Sequence, residues 1–148
     1  AAKCNLLGLD GAESFFIRKY DEETEHAEVV LNYILMRFDH DSPKFSPINE
    51  PPSLGTGEDI IGIFVSLFQT SLEHEKEVTA MITELKNLAE ENGDYQDSAF
   101  LDSYLLEQVE EEDEFRTIIQ RATLATDEGS ILSFEHELQG SVAMKDNE

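Results

Sequence analysis

The chain is short of the residues that cross-link, punctuate or carry positive charge. It holds one cysteine, Cys4, and no tryptophan. A single thiol excludes an internal disulfide framework and a cysteine-based zinc site, and its ordinary reading is a buried or half-buried group without a role. No apolar run approaches the roughly 18 residues needed to cross a bilayer. The opening "AAKCNLLGLDG" has neither the basic start nor the long apolar stretch of a signal peptide. Basic residues are few: ten Lys plus Arg stand against 33 Asp plus Glu, a formal charge of −23. A field of that sign repels phosphate backbones and anionic lipid surfaces and gathers cations around the protein. Nucleic acid and membranes are therefore poor partners, and metal cations are expected ones. Solvated acidic helix faces account for much of the same surplus.

β structure is missing as well, since there is no extended alternation and no Asn-Gly hairpin turn. All four prolines fall in "DHDSPKFSPINEPPSLGTGED", residues 39–59, which cannot be helical. What remains reads as helix. A short amphipathic start (Leu6, Leu7, Leu9) is broken at "GLDGAE", and a long helix is expected from Glu13 to Phe38. A second runs from Glu58 to Glu91 and stops at Asn92-Gly93, and a third runs from Asp97 to Ala122. In "SILSFEHELQG", Ser130 reads as an N-cap and Gly140 as a stop. With 148 residues, 40% of them apolar, the chain suits one domain over 1–148. The connection 39–57, about 19 residues, far exceeds the roughly 2–8 usual between bundle neighbours. It is long enough to run the length of a helix, so the helices it joins are expected to be parallel, a four-helix bundle with one long crossover. Gly55-Thr56-Gly57 lies inside it without the strand before or the lysine after that a phosphate-binding loop requires.

The helices share an anomaly. In the first, Phe16, Tyr20, Glu23, Ala27, Val30, Ile34 and Phe38 recur at steps of three and four, apolar or aromatic except at Glu23, with His26 a turn further along that side. In the second, Phe64, Phe68, Leu72, Glu75, Val78, Ile82, Leu85 and Ala89 are broken only by Glu75. In the third, Gln108 and Glu111 interrupt Leu101, Tyr104, Phe115, Ile118 and Ala122. An ionised carboxylate in a core stripe costs several kcal/mol unless it is paired. A locally paired or surface-turned glutamate explains one such break. Three helices broken near their middles by Glu, His, Glu, Gln and Glu point to hard oxygen ligands with one imidazole, the set expected for iron, manganese or zinc. The Glu23-x-x-His26 spacing is that of carboxylate-bridged two-metal bundles. Glu107, Glu110 and Glu111 share a face, and Glu22 adjoins Glu23. These four carboxylates either bind a further cation or form a solvated acidic face.

"FIRKYDEETEHAEVV", "LEHEKEVTAMITELKNLAEENGDYQ", "SAFLDSYLLEQVEEEDEF" and "ILSFEHEL" together resemble a ferritin of the non-haem bacterial type over nearly the whole chain. The resemblance implies an all-α, ferritin-like four-helix bundle with a short fifth helix, a homo-oligomeric shell of 24 subunits and a cytoplasmic setting. It implies oxidation of Fe(II) by O2 or peroxide at a di-iron ferroxidase centre and storage of the Fe(III) mineral. Carried over, Glu23 bridges both irons, His26 binds the first, Glu75 binds the second, and Gln108 lies near that second iron. Glu22, Glu107, Glu110 and Glu111 match a third iron site, with Glu111 also reaching the second iron, and the last segment matches the helix lining the four-fold pores. Haem is not expected, because haem-bearing relatives carry two E-x-x-H motifs and the third helix here reads Gln108-x-x-Glu111. The small DNA-protecting relatives are a poorer match, since a basic tail is absent and a fifth helix present. His74 and His136 fall outside the ligand set. The alternative reading is a non-catalytic structural shell subunit or an acidic cation-binding helical bundle.

The family's first helix, with a glutamate for the first iron, would precede "AAKCNLLGLDG". The natural polypeptide is therefore expected to extend some 25 to 35 residues upstream of Ala1, an estimate the resemblance implies from the family's first helix and its start. An intact mass of the native protein near the 16.7 kDa of these residues, from soluble, assembled material, would overturn that expectation.

Overall fold

The computed structural model describes residues 1–37 and 59–145, all five elements of which are α-helices: α1 (Ala2–Leu7), α2 (Asp10–Arg37), α3 (Ile60–Glu91), α4 (Tyr95–Thr123) and α5 (Glu128–Lys145). No strand occurs among the described residues. The long crossover and the Gly55-Thr56-Gly57 loop expected from the sequence lie outside them. The helices divide between two compact units, α1, α2 and α5 in one, α3 and α4 in the other.

In the first unit, α1 ends at Gly8, whose φ of 69° is left-handed and suits glycine. The amides of Gly8 and Leu9 close the turn on the carbonyls of Asn5 and Cys4. The break is confined to two residues, and α2 begins at Asp10, three residues earlier than the pattern predicts. Its early start has a visible cause. The first amides of a helix lack partners within it, and here the buried carboxylate of Glu135 on α5 accepts from Gly11 N at 2.8 Å and Ala12 N at 3.2 Å. Ile131, Phe134, Glu135 and Leu138 form one buried face of α5, alongside the buried Cys4, Leu9, Ala12 and Phe15. Burial pushes the Cys4 thiol above its ordinary pKa, so it stays protonated. Gly140 does not stop α5, which continues to Lys145. A lone glycine costs about 1 kcal/mol in a helix and no proline follows it, so the helix passes through.

The buried side of α2 also departs from the expected stripe. Tyr20 is 70% exposed, and Glu23 and Ala27 are exposed, whereas Ala12, Phe15 and Lys19 are buried and Glu22, His26 and Val30 half-buried. The first turns are oriented by the close approach of α5 at Gly11 and Ala12, and the 3.6-residue period carries that face to Lys19, Glu22 and His26, about one position round from the apolar stripe.

In the second unit, Asp59 caps α3 by accepting from Gly62 N at 2.7 Å, and Asp94 caps α4 by accepting from Asp97 N at 3.2 Å. Between the helices lie only Asn92, Gly93 (φ 70°) and Asp94, so α3 and α4 form an antiparallel hairpin. Phe64, Phe68 and Leu72 on α3 and Phe115, Ile118 and Ala122 on α4 are buried as their stripes predict, with the Phe68 and Phe115 rings 6.2 Å apart. Each buried phenylalanine contributes about 1.5–3 kcal/mol. Leu85, expected in the stripe, is 54% exposed. Near the turn, Lys86 Nζ meets Ser98 Oγ at 2.7 Å and the carboxylates of Glu90 and Asp102, both at 2.9 Å, which ties the two helices together at the closed end of the hairpin.

The helix–helix approach at Gly11 generates a prediction. A Cβ there would sit 2.1 Å from the backbone oxygen of Glu135, which cannot swing aside. Gly11→Ala should cost at least the ~1–3 kcal/mol typical of overpacking, although alanine is ordinarily the better helix former. Thermal unfolding checks this: a variant as stable as the parent would show that α5 does not seat on α2 in this way.

Candidate metal-binding site

The candidate ligands are carried by both units. On α2, Glu23 and His26 stand one turn apart, with His26 Nδ1 3.7 Å from Glu23 Oε2. Two donors each about 2.1 Å from one divalent cation can be up to roughly 4.2 Å apart, so this pair can share a metal without moving. Glu22, the next carboxylate, is engaged differently. Arg18 Nη1 lies 2.5 Å from its Oε1 and Lys19 Nζ 3.1 Å from its Oε2. Both cations lean on the Phe15 ring, at 5.1 and 5.7 Å from its centre, with their stems buried. Burial would raise the Glu22 pKa, but the bonds from Lys19 and Arg18 and their charges outweigh it and hold the carboxyl below its ordinary range.

On α3, Glu75 is buried, and the amide of the equally buried Gln108 on α4 donates to it: Nε2 is 3.2 Å from Glu75 Oε2 and 3.1 Å from the Glu75 backbone oxygen. Both residues sit in the apolar stripes of their helices, so hairpin packing brings the carboxylate and the amide together. Gln108 Nε2 also lies 3.3 Å from Thr79 Oγ1. The Thr79 hydroxyl is 2.9 Å from Glu112 Oε1, and Arg116 pairs with the other oxygen of Glu112. Thr79 and Glu112 were not singled out by sequence reasoning. A signal existed, since Glu75–Thr79, Gln108–Glu112 and Glu112–Arg116 are all i,i+4 pairs. Glu107 and Glu111 are half-buried on α4, while Glu110 is exposed. The Tyr104 phenol is pushed above its ordinary pKa, first by burial and then by the neighbouring charge of Glu107. His74 and His136 are exposed.

The structure thus brings together Glu23 with His26, and Glu75 with Gln108. It does not gather three or more His, Cys, Asp or Glu side chains into one metal-holding group among the described residues. The donor set nevertheless fits a hard cation: carboxylates, one imidazole and one amide, with no thiolate.

Long helices with buried polar groups, Glu75 and Gln108, set within their apolar stripes define the class of all-α helical bundles. The family model of the Ferritin-like domain matches residues 1–125, and the chain belongs to the ferritin family. It is 34% identical over 139 residues to the bacterial non-heme ferritin of Staphylococcus aureus, covering 93% of this chain and 79% of the relative, and 32% identical over the same length to that of Staphylococcus epidermidis. Among solved structures it resembles an open-pore ferritin from the hyperthermophilic archaeon Archaeoglobus fulgidus, with a TM-score of 0.82 and 28% identity over 93% of this chain and 81% of that one. A humanized archaeal ferritin gives a TM-score of 0.82 at 27% identity, covering 93% of this chain and 79% of that one. The fold is all-α and of the ferritin-like four-helix-bundle type.

The Glu22 clamp can be tested through pH. A carboxyl whose folded pKa is lowered contributes stability that is present above its unfolded pKa and is lost as pH falls through the folded one. Lys19→Met keeps the stem against Phe15 and removes the charge, so the Glu22 pKa should rise. The variant should therefore melt below the parent at neutral pH, with the gap closing as pH falls below the usual carboxylate range. A gap independent of pH would mean that Lys19 acts by packing alone.

Proposed function

We propose that this chain is the subunit of an iron-storage ferritin that oxidises Fe(II) at a two-iron centre and keeps the product as Fe(III) mineral inside a shell of 24 copies, without haem, in the cytoplasm. Residues 1–148 form one ferritin-like domain in this reading. Iron is substrate and cargo. The ligand set is Glu23, His26, Glu75, Gln108 and Glu111, with Glu23 shared by both ions, His26 on the first and Glu75 on the second. Glu22, Glu107 and Glu110, with Glu111, serve a third iron. The observation that carries the proposal is the buried Glu75 carboxylate accepting from the Gln108 amide at 3.2 Å, in a chain of the ferritin family. Hydrogen bonding to the charged form favours ionisation, and an ionised carboxylate in an apolar stripe is matched by a cation.

Each of two Fe(II) ions gives up one electron, and O2 accepts the pair with two protons to become hydrogen peroxide; with peroxide as oxidant, the same two electrons and two protons yield water. The side chains hold negative charge against the rising positive charge of the ions and fix their spacing. The acidic balance of the chain, −23 overall, concentrates Fe(II) around the protein before it binds. Glu22 enters the third site only by exchanging its bonds to Arg18 and Lys19 for a metal, which makes that site the weaker one.

Stopped-flow absorbance after mixing with Fe(II) in air tests the reaction. The protein should form Fe(III) far faster than buffer, and a rate equal to buffer sinks the enzyme reading. Glu23→Ala should abolish the fast phase while light scattering still reports an assembled shell, because alanine is well tolerated in an exposed helix position. A fast phase at the parent rate would remove Glu23 from the centre.

A further inference from the structure

Two residues outside the proposed ligand set form a chain that ends on Glu75. Thr79 Oγ1 has one proton and two acceptors, the Glu75 backbone oxygen at 3.0 Å and Glu112 Oε1 at 2.9 Å. Arg116 pairs with the second oxygen of Glu112, whose side chain is only 14% exposed, and a carboxylate oxygen in an arginine pair is a stronger acceptor than a backbone carbonyl. The Thr79 proton goes to Glu112, and the Thr79 oxygen turns its lone pairs toward Gln108 Nε2, 3.3 Å away. Gln108 then faces three oxygens that only accept: Glu75 O, Glu75 Oε2 and Thr79 Oγ1. This decides the amide. Turned over, Gln108 would set its own carbonyl oxygen against all three, and Thr79 would have no proton to offer it. Without Glu112, Thr79 could donate to the reversed amide and the alternative rotamer would become accessible.

We propose that Thr79 and Glu112 are positioning residues for the iron-oxidising site: Glu112 makes Thr79 an acceptor, Thr79 locks Gln108 with its amide toward Glu75, and Gln108 holds that carboxylate aimed for the second cation. The inference rests on the ligand set assigned above. Neither residue touches metal in this scheme. They set the affinity for the second ion, as partners that orient a ligand do, and losing such a partner typically weakens binding about 10- to 100-fold.

Zn(II), which does not change oxidation state, separates this from the redox reading. Calorimetric titration of the assembled shell with Zn(II) should show Thr79→Val weakening one site per subunit about tenfold while the other sites bind as in the parent. Thr79→Ser, which restores the hydroxyl, should bind like the parent. Glu112→Gln should weaken the same site by a smaller factor, and the double variant should be no weaker than Thr79→Val alone, because both act through one chain. With Fe(II), the same variants should raise the half-saturating concentration more than they lower the maximal rate. Parent-like Zn(II) binding by Thr79→Val, equal loss in Thr79→Ser, or additive losses in the double variant would overturn the proposal. A parent that binds Zn(II) through these residues but oxidises Fe(II) no faster than buffer would sink the enzyme reading alone. A parent with no such Zn(II) site would overturn both.

Discussion

A carboxylate that enters a helix bundle must find a partner, and the ways this chain supplies partners organise the rest of it. Glu135 is met by backbone amides at the start of α2, which supply donors and the positive end of the helix dipole. Glu22 is met by two full charges, Arg18 and Lys19. Glu112 is met by Arg116 and a hydroxyl. Glu75 receives a neutral amide from Gln108, a bond that orients the carboxylate without cancelling its charge. The difference is chemical and not merely geometric. The first three arrangements hold structure together, whereas the last aims a buried carboxylate.

The same economy explains what the structure does with Gln108. An arginine or lysine at that position would satisfy Glu75 more strongly and would also neutralise it. A leucine would remove that donor, at a cost of about 1–3 kcal/mol. The amide is the side chain that donates without neutralising. Its orientation is ambiguous by shape, since oxygen and nitrogen are nearly the same size, so only neighbouring donors and acceptors select it. Three acceptor oxygens make that selection here.

How much of this was legible in the sequence depended on where the burial came from. The stripes of α3 and α4 were readable because a three-residue turn folds the two helices onto each other, so their own periodicity sets which face is covered. The breaks at Glu75 and Gln108 then emerged as a pair. The face of α2 was misjudged by about one position, because its orientation is taken from the docking of Glu135 onto Gly11 and Ala12, a contact spanning more than 120 residues that no local pattern encodes. The same contact hid the true start of α2 at Asp10. Gly140 misled for a simpler reason, since glycine only permits termination and a helix without a better partner for its carbonyls continues. Thr79 and Glu112 escaped because they flank the stripe and read as ordinary surface polar residues until the partner helix is in place.

The run Glu110, Glu111, Glu112 shows how position on one turn of helix separates the uses of a single residue type. Glu112 is drawn onto Thr79 and Arg116, Glu111 is half-buried along the stripe that holds Gln108, and Glu110 faces solvent. Three adjacent carboxylates would repel one another if all were ionised in one place, but successive helical residues point about 100° apart, which spreads the charge over three environments. One then carries structural charge already neutralised by arginine, one stands beside the amide that orients Glu75, and one contributes to the acidic exterior.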